Sequence, residues 1–323
     1  MLRKLSRHLT LVLLALAVAT SCATAPVDPP DFPRRVLLTN DNGIDDTGLI
    51  ELARACARVP GIDVIVVAAA GDRSGTSNYL GATRTGQFRV ERRDLGPHIE
   101  AWALDGYPAD CVIFALTGPL RERLPDVVVS GINGGQNMAD DWFGSGTIGA
   151  ARTAAYFGIP AVAVSGLEDD HAGAVEAATS WVVRFVQSSI VAALAAPQYL
   201  TVSLPDGTPP DISGARIVER ARGLMTGSAR RVGGGTDADS AQVWLLDIAT
   251  HPERAAAGTD VPTVAAGYIA IVPMRVDEYD AALAARLRDE RSRIPEWIAP
   301  EAGGSAELFA CGARPGITFG DAE

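Results

Sequence analysis

Short runs of consecutive apolar residues alternate with stretches of helical spacing through the first two-thirds of the chain. Arg35-Val-Leu-Leu-Thr39, Ile62 to Ala69, Asp126-Val-Val-Val-Ser130 and Pro160 to Ser165 have the near-continuous apolar character of strands buried on both faces. Between the first two, Leu49, Ile50, Ala53, Cys56 and Ala57 recur along one helix face. A second helix is predicted from about Thr147 to Phe157. A third, long one is predicted from Gly173 to Leu194, where Val175, Val182, Val186, Ile190 and Leu194 keep helical register. Strands alternating with helices argue for an α/β fold, a mostly parallel sheet with helices on both faces. After Tyr199 the texture changes. Leu200 to Leu204, Ala215 to Glu219, Val243 to Ile248 and Gly267 to Met274 read as strands without regular crossover helices, with a protruding hairpin among them and a terminal helix from Glu278 to Arg288.

Composition fits one large α/β unit with appendages: 323 residues, 47% apolar and 21% charged, enough for a sizeable core. The formal charge of −11 argues against binding a nucleic-acid polymer. It leaves a small phosphorylated substrate open, because a bound cation inverts the local field. The first residues read as an export signal: Arg3, Lys4 and Arg7 precede an apolar run from Leu9 to Thr20 that is too short to span a bilayer. Ala19-Thr20-Ser21 then leads to Cys22, the pattern of a lipoprotein cleavage site, with Cys22 acylated and membrane-anchored; the alternative is ordinary cleavage and a soluble periplasmic product. The expected layout is a signal over 1–22, a Pro- and Asp-rich linker over 23–33, a folded domain over 34–290 and a tail over 291–323. Cys56 and Cys111 read as small core residues and Cys311 as the more exposed thiol. Three cysteines after Cys22 imply no disulfide framework.

Chemistry-bearing residues cluster where the predicted strands end. Thr39-Asn40-Asp41-Asn42-Gly43 follows the first strand, and ligands of open parallel sheets bind at such carboxyl ends; the same residue types also favour a plain turn. Asp72-Arg73-Ser74-Gly75-Thr76-Ser77-Asn78 follows the second strand and brings hydroxyls to the same edge. Ser130-Gly131-Ile132-Asn133-Gly134-Gly135-Gln136-Asn137 runs from a strand into a loop of glycines and amides. Ser145-Gly146-Thr147 sits directly before a helix, where free N–H groups and the dipole make a phosphate cradle; an N-cap that binds nothing is the plainer alternative. His98, His171 and His251 are far apart and read as surface residues. No Ser-His-Asp arrangement emerges, and the glycine loops lack a P-loop lysine.

These segments, together with Gly106-Tyr107-Pro108-Ala109-Asp110-Cys111, the Gly158 to Ala161 strand start and the stretch from Gly258-Thr259-Asp260-Val261 to Pro273, resemble the signature set of the SurE (survival protein E) family, in the family's order. Coverage runs from about Arg34 to Val276. The resemblance implies a Rossmann-like core and a smaller C-terminal strand and helix region that exchanges elements to build a homodimer or homotetramer. It also implies a divalent cation, Mg or Mn, and hydrolysis of nucleoside 5′- and 3′-monophosphates. Carried over by position, the metal ligands fall on Asp41, Asn42, Ser74 and Asn133, and the phosphate side on Asn137, Ser145, Gly146 and Thr147. Oxygen donors without thiol or imidazole suit a hard cation, which offsets phosphate charge and activates water for in-line attack. Asp41, Asn137 and Thr147 are the expected catalytic residues, with Thr147 and the helix start receiving the charge that develops on the phosphoryl oxygens.

Several positions depart from the family pattern. Asn42 stands where a second Asp is usual, so the site loses one negative charge; Asp45 or Asp46 compensating is one reading, and a solvated helix start is the other. Deamidation at Asn42-Gly43 would regenerate the acid. Tyr107 replaces a usual Thr, Ser203 stands where Asn is common, and the hairpin segment before Trp244 is barely recognisable. The rival to the enzyme is therefore an exported nucleotide- or phosphate-binding protein of the same fold, with catalysis weakened by Asn42.

Overall fold

The computed structural model describes residues 32–166, 173–206, 212–235, 240–277 and 281–289. The signal, the linker up to residue 31, Cys311 and the tail lie outside the described residues. In chain order the first half comprises β1 (Arg35–Thr39), α1 (Thr47–Ala57), β2 (Asp63–Ala69), α2 (Ala82–Thr85), β3 (Val90–Arg93), β4 (Ile99–Leu104), α3 (Pro108–Thr117), β5 (Val127–Asn133), α4 (Gly146–Tyr156) and β6 (Ala161–Ser165). The second half comprises α5 (Ala174–Val186), α6 (Ser189–Ala192), β7 (Gln198–Ser203), β8 (Gly214–Ile217), β9 (Met225–Gly234), β10 (Gln242–Thr250), α7 (Asp260–Ala265), β11 (Tyr268–Arg275) and α8 (Ala281–Asp289). Residues up to Asp277 form one compact unit, and α8 belongs to a second. No helix among the described residues is long and apolar enough to cross a membrane.

Among the described residues a nine-stranded sheet runs in the order β3-β4-β2-β1-β5-β6-β7-β11-β8. Neighbours from β4 through β7 are parallel, while β3 pairs antiparallel with β4 and β11 antiparallel with β7. Alternate side chains of the central strands feed two separate cores, as strand geometry requires. On one face Val36 and Leu38 pack with Leu49 and Leu52 of α1 and Val182 of α5. On the other, Leu37 and Val128 pack with Val112 of α3 and Ile148 and Ala151 of α4. This is the expected α/β architecture, with helices on both faces.

Two expectations change. The long helix over Gly173 to Leu194 is two helices, because Ser188 leaves helical geometry and its hydroxyl donates to the Phe185 carbonyl at 2.6 Å. The pair β3 and β4 and helix α3 were not anticipated. Strand β3 is a short charged edge, Val-Glu-Arg-Arg, and α3 has Pro108 at its first turn and buried Asp110 accepting from the N–H groups of Gly81, Ala82 and Tyr107. The expected protruding hairpin is present, although its family pattern is barely recognisable: β9 pairs antiparallel with β10 from Met225↔Thr250 to Gly234↔Gln242.

Candidate active site

The carboxyl ends of β1, β2 and β5 and the amino end of α4 carry the predicted site residues, and main-chain hydrogen bonds tie their loops to one another and to the end of β6. Arg73 N donates to Asp41 O at 2.7 Å, joining the loop after β2 to the loop after β1. Ser77 N donates to Gly144 O at 2.8 Å, joining the same loop to the segment that enters α4. Gly166 N, just past β6, donates to the carbonyls of Asn133 and Gly135.

Asp41 is buried against α4. Its Oδ1 accepts the Thr147 hydroxyl at 2.5 Å. A Cβ on Gly146 would lie 2.9 Å from the Asp41 Cβ and from its Oδ2, so only glycine lets the carboxylate sit there. Burial pushes the Asp41 carboxyl above its usual range, against the hydrogen bond from Thr147, and the charge of Asp72 pushes the same way. This arrangement changes the expected task of Thr147. It is fully buried and gives its hydroxyl proton to Asp41, so its side chain clamps the carboxylate instead of contacting phosphate.

Two other phosphate-side candidates, Ser145 and Asn137, keep hydrogen-bonding capacity to spare. Ser145 is the N-cap of α4, its oxygen accepting from Ile148 N at 3.1 Å, which leaves its hydroxyl proton for another acceptor. Asn137 is held by its own N–H donating to Ser165 Oγ at 3.0 Å, and its buried Nδ2 has no partner. On the metal side, Asn133 turns its Nδ2 onto the carbonyls of Gly134 and Gly135, both at 2.9 Å, and its Oδ1 remains as an acceptor. The Oδ1 of Asn42 is buried and unpartnered. A buried acceptor without a donor carries a cost of about 1–3 kcal/mol, which a cation would remove. Asp41, Asn42, Asn133 and Ser74 are a donor set that fits a hard divalent cation. Among the described residues no group of three or more His, Cys, Asp or Glu could hold a metal ion.

The two ideas for recovering the charge missing at Asn42 both meet obstacles. Asp46 Oδ1 caps α1 by accepting from Leu49 N at 2.9 Å, and Asp45 is exposed and lies 3.6 Å from an Arg93 nitrogen. Gly43 N, the atom that would attack the Asn42 amide during deamidation, is engaged with Asn40 Oδ1 at 3.1 Å. Sequence reasoning passed over Asp72, whose Oδ1 accepts both the Ser74 N–H at 2.8 Å and the Ser74 hydroxyl at 2.6 Å. Its signal was an Asp two residues before a Ser, the spacing of a side-chain turn. The cysteines are core residues, as anticipated: burial pushes the Cys56 thiol up to about 12 and the Cys111 thiol upward too, so neither is a nucleophile at neutral pH.

The family model described as Survival protein SurE matches residues 36–226. A protein of Xanthomonas campestris pv. campestris (strain B100) named 5′-nucleotidase SurE is 38% identical over 249 residues, covering 75% of this chain and 90% of the relative.

The chain belongs to the SurE family.

A second relative of the same name, from Aliivibrio fischeri, is 31% identical over 83% of this chain and 96% of its own length. Among solved structures, the SurE protein of Aquifex aeolicus superposes with a TM-score of 0.66 at 25% identity, covering 80% of this chain and 99% of that one. The SurE family match spans the loops after β1, β2 and β5 and the amino end of α4, where the candidate site is built.

Proposed function

We propose that this SurE-family chain is a divalent-cation-dependent phosphomonoesterase that hydrolyses nucleoside 5′- and 3′-monophosphates to nucleoside and phosphate. The relatives named 5′-nucleotidase support the substrate class. The single observation that carries the chemistry is the buried Asp41, locked by Thr147 at the start of α4 beside the unpartnered Oδ1 of the next residue, Asn42. Mg or Mn bound by Asp41, Asn42, Ser74 and Asn133 would supply charge neutralisation and activation of water. The protein's own groups do the rest. Thr147 fixes Asp41 so that Oδ2, beside Gly146, keeps one direction. Ser145 has a hydroxyl proton and Asn137 an amide N–H to donate to phosphoryl oxygens, and the dipole of the 11-residue helix α4 favours their negative charge.

A panel of nucleoside monophosphates assayed with Mn²⁺ and then with excess EDTA tests this reading. Phosphate release that requires the cation is expected; release unaffected by EDTA overturns the metal dependence. The neutral Asn42 favours one rival, a binding protein of the same fold, and tight nucleotide binding without any phosphate release would establish it.

In this reading the enzyme works outside the cytoplasm, anchored through a lipid on Cys22 or free in the periplasm, and assembles as a homodimer or homotetramer. The hairpin of β9 and β10 supports assembly. All its strand residues but Gly233 are exposed, and Trp244, Leu246 and Ile248 alternate along one face at 57, 66 and 57% exposure. A two-stranded sheet with a bare apolar face is marginal in water, and a second copy would cover it. Replacing residues 225–250 with a short Gly-Ser linker should lower the mass found by light scattering to that of a monomer. An unchanged mass would place the contact elsewhere.

A further inference from the structure

The proposed donor set holds one carboxylate, Asp41, against a doubly charged cation, and the nearby acids of α1 are committed elsewhere: Asp46 caps the helix and Asp45 faces Arg93. The loop after β2 contains another anion. Asp72 Oδ1 accepts the hydroxyl proton of Ser74 at 2.6 Å and its N–H at 2.8 Å. A hydroxyl whose proton points at a carboxylate turns its lone pairs away from that carboxylate, with added electron density, and so becomes a better cation ligand. The loop is not free to swing, because Arg73 N is bonded to Asp41 O at 2.7 Å and Thr76 Oγ1 to Arg73 O at 2.6 Å. The charge of Arg73 favours the ionised form of Asp72 without forming an ion pair with it. Arg73 sends Nη2 to Asp105 Oδ1 at 3.2 Å and Nε to Gly106 O, and Asp72 makes no ion pair among the described residues.

We propose that Asp72, acting through the Ser74 hydroxyl, is the second negative charge of this cation site and stands in for the carboxylate absent at Asn42. It is a positioning residue, touching Ser74 and not the cation. The proposal rests on the metal-dependent reading above. Carboxylates behind metal ligands are commonly worth 10- to 100-fold in affinity, and because Asp72 is exposed to solvent the lower end applies here, about 10-fold.

The test is Mn²⁺ binding, followed by electron paramagnetic resonance without substrate, in the natural protein, Asp72→Asn, Asn42→Asp and the double variant. The Asp72→Asn side chain keeps an oxygen that accepts from Ser74, so it removes charge while sparing the turn. Asp72→Asn should bind Mn²⁺ about 10-fold more weakly, Asn42→Asp should bind more tightly, and the double variant should return close to the natural affinity. An Asp72→Asn protein with unchanged affinity overturns the proposal alone. A double variant that fails to recover also overturns it, since that outcome marks a collapsed loop instead of a missing charge. If the natural protein binds no Mn²⁺ at millimolar concentration, the metal-dependent reading falls and this proposal falls with it.

Discussion

Asp41→Asn is expected to lower kcat on a nucleoside monophosphate by about 1,000-fold, roughly 4 kcal/mol of transition-state stabilisation, and to leave the fold intact. The amide oxygen that this substitution introduces would still accept from Thr147, and the side chain would still fit against Gly146, so packing is preserved. What disappears is the only charged member of the donor set. Stability separates this loss from misfolding. Burial holds the Asp41 carboxyl above its usual range. Between the unfolded and the raised folded value the folded state binds more protons, so ionised Asp41 costs the metal-free protein stability at pH values above both, and acidification removes that cost. At neutral pH, without metal, the Asp41→Asn protein should therefore melt no lower than its parent. Retention of activity within 10-fold of the parent would remove Asp41 from the chemistry.

Gly149→Ala should cost about 3 kcal/mol and lower Tm by roughly 8 °C, although alanine is the better helix former by about 1 kcal/mol. A Cβ at this position would lie 2.1 Å from the Ser77 carbonyl oxygen and 2.6 Å from its carbon. Both are backbone atoms, and they cannot swing aside as a flexible side chain would. Asn78 holds that loop onto α4 from the same side, with Nδ2 bonded to Gly149 O at 2.7 Å and Thr153 Oγ1 at 2.8 Å, and Arg152 bonded to its Oδ1. Any relief must move the segment that carries Ser74, so phosphatase activity should fall alongside Tm. Thermal melts of the two proteins decide the matter by sign: a higher Tm would mean that helix propensity outweighs the close approach.

The central architecture was legible in the residues because strands covered on both faces need unbroken apolar runs, and Val36 to Leu38, Val64 to Ala69 and Val127 to Val129 are such runs. The location of the site was legible for a related reason. In a parallel sheet every strand's carboxyl end lies at one rim, so the segments that carry Asp41, Ser74, Asn133 and Asn137 share that rim once the strands are assigned. Less was visible at the edges. Strand β3 is stabilised by pairing with β4, and its own sequence of Val-Glu-Arg-Arg has no apolar run to announce it. The break between α5 and α6 turns on Ser188 preferring the Phe185 carbonyl to a continued helix, a local choice that apolar periodicity ignores.

By itself, then, the order of residues determined a doubly covered parallel sheet with an oxygen-rich rim, because burial pattern and strand direction follow from local composition. Only the tertiary structure decided how the rim's polar groups are shared out. On spacing alone Thr147 could face phosphate or carboxylate, Asp46 could stand free or cap, and Asp72 could face solvent alone or hold Ser74. Which of these holds depends on atoms that approach one another in the folded chain: Thr147 on Asp41 from 106 positions away, Asp46 on Leu49 N, and Asp72 on Ser74 in a loop anchored to Asp41. A hydroxyl has one proton to give, and sequence spacing alone does not say which acceptor is nearest.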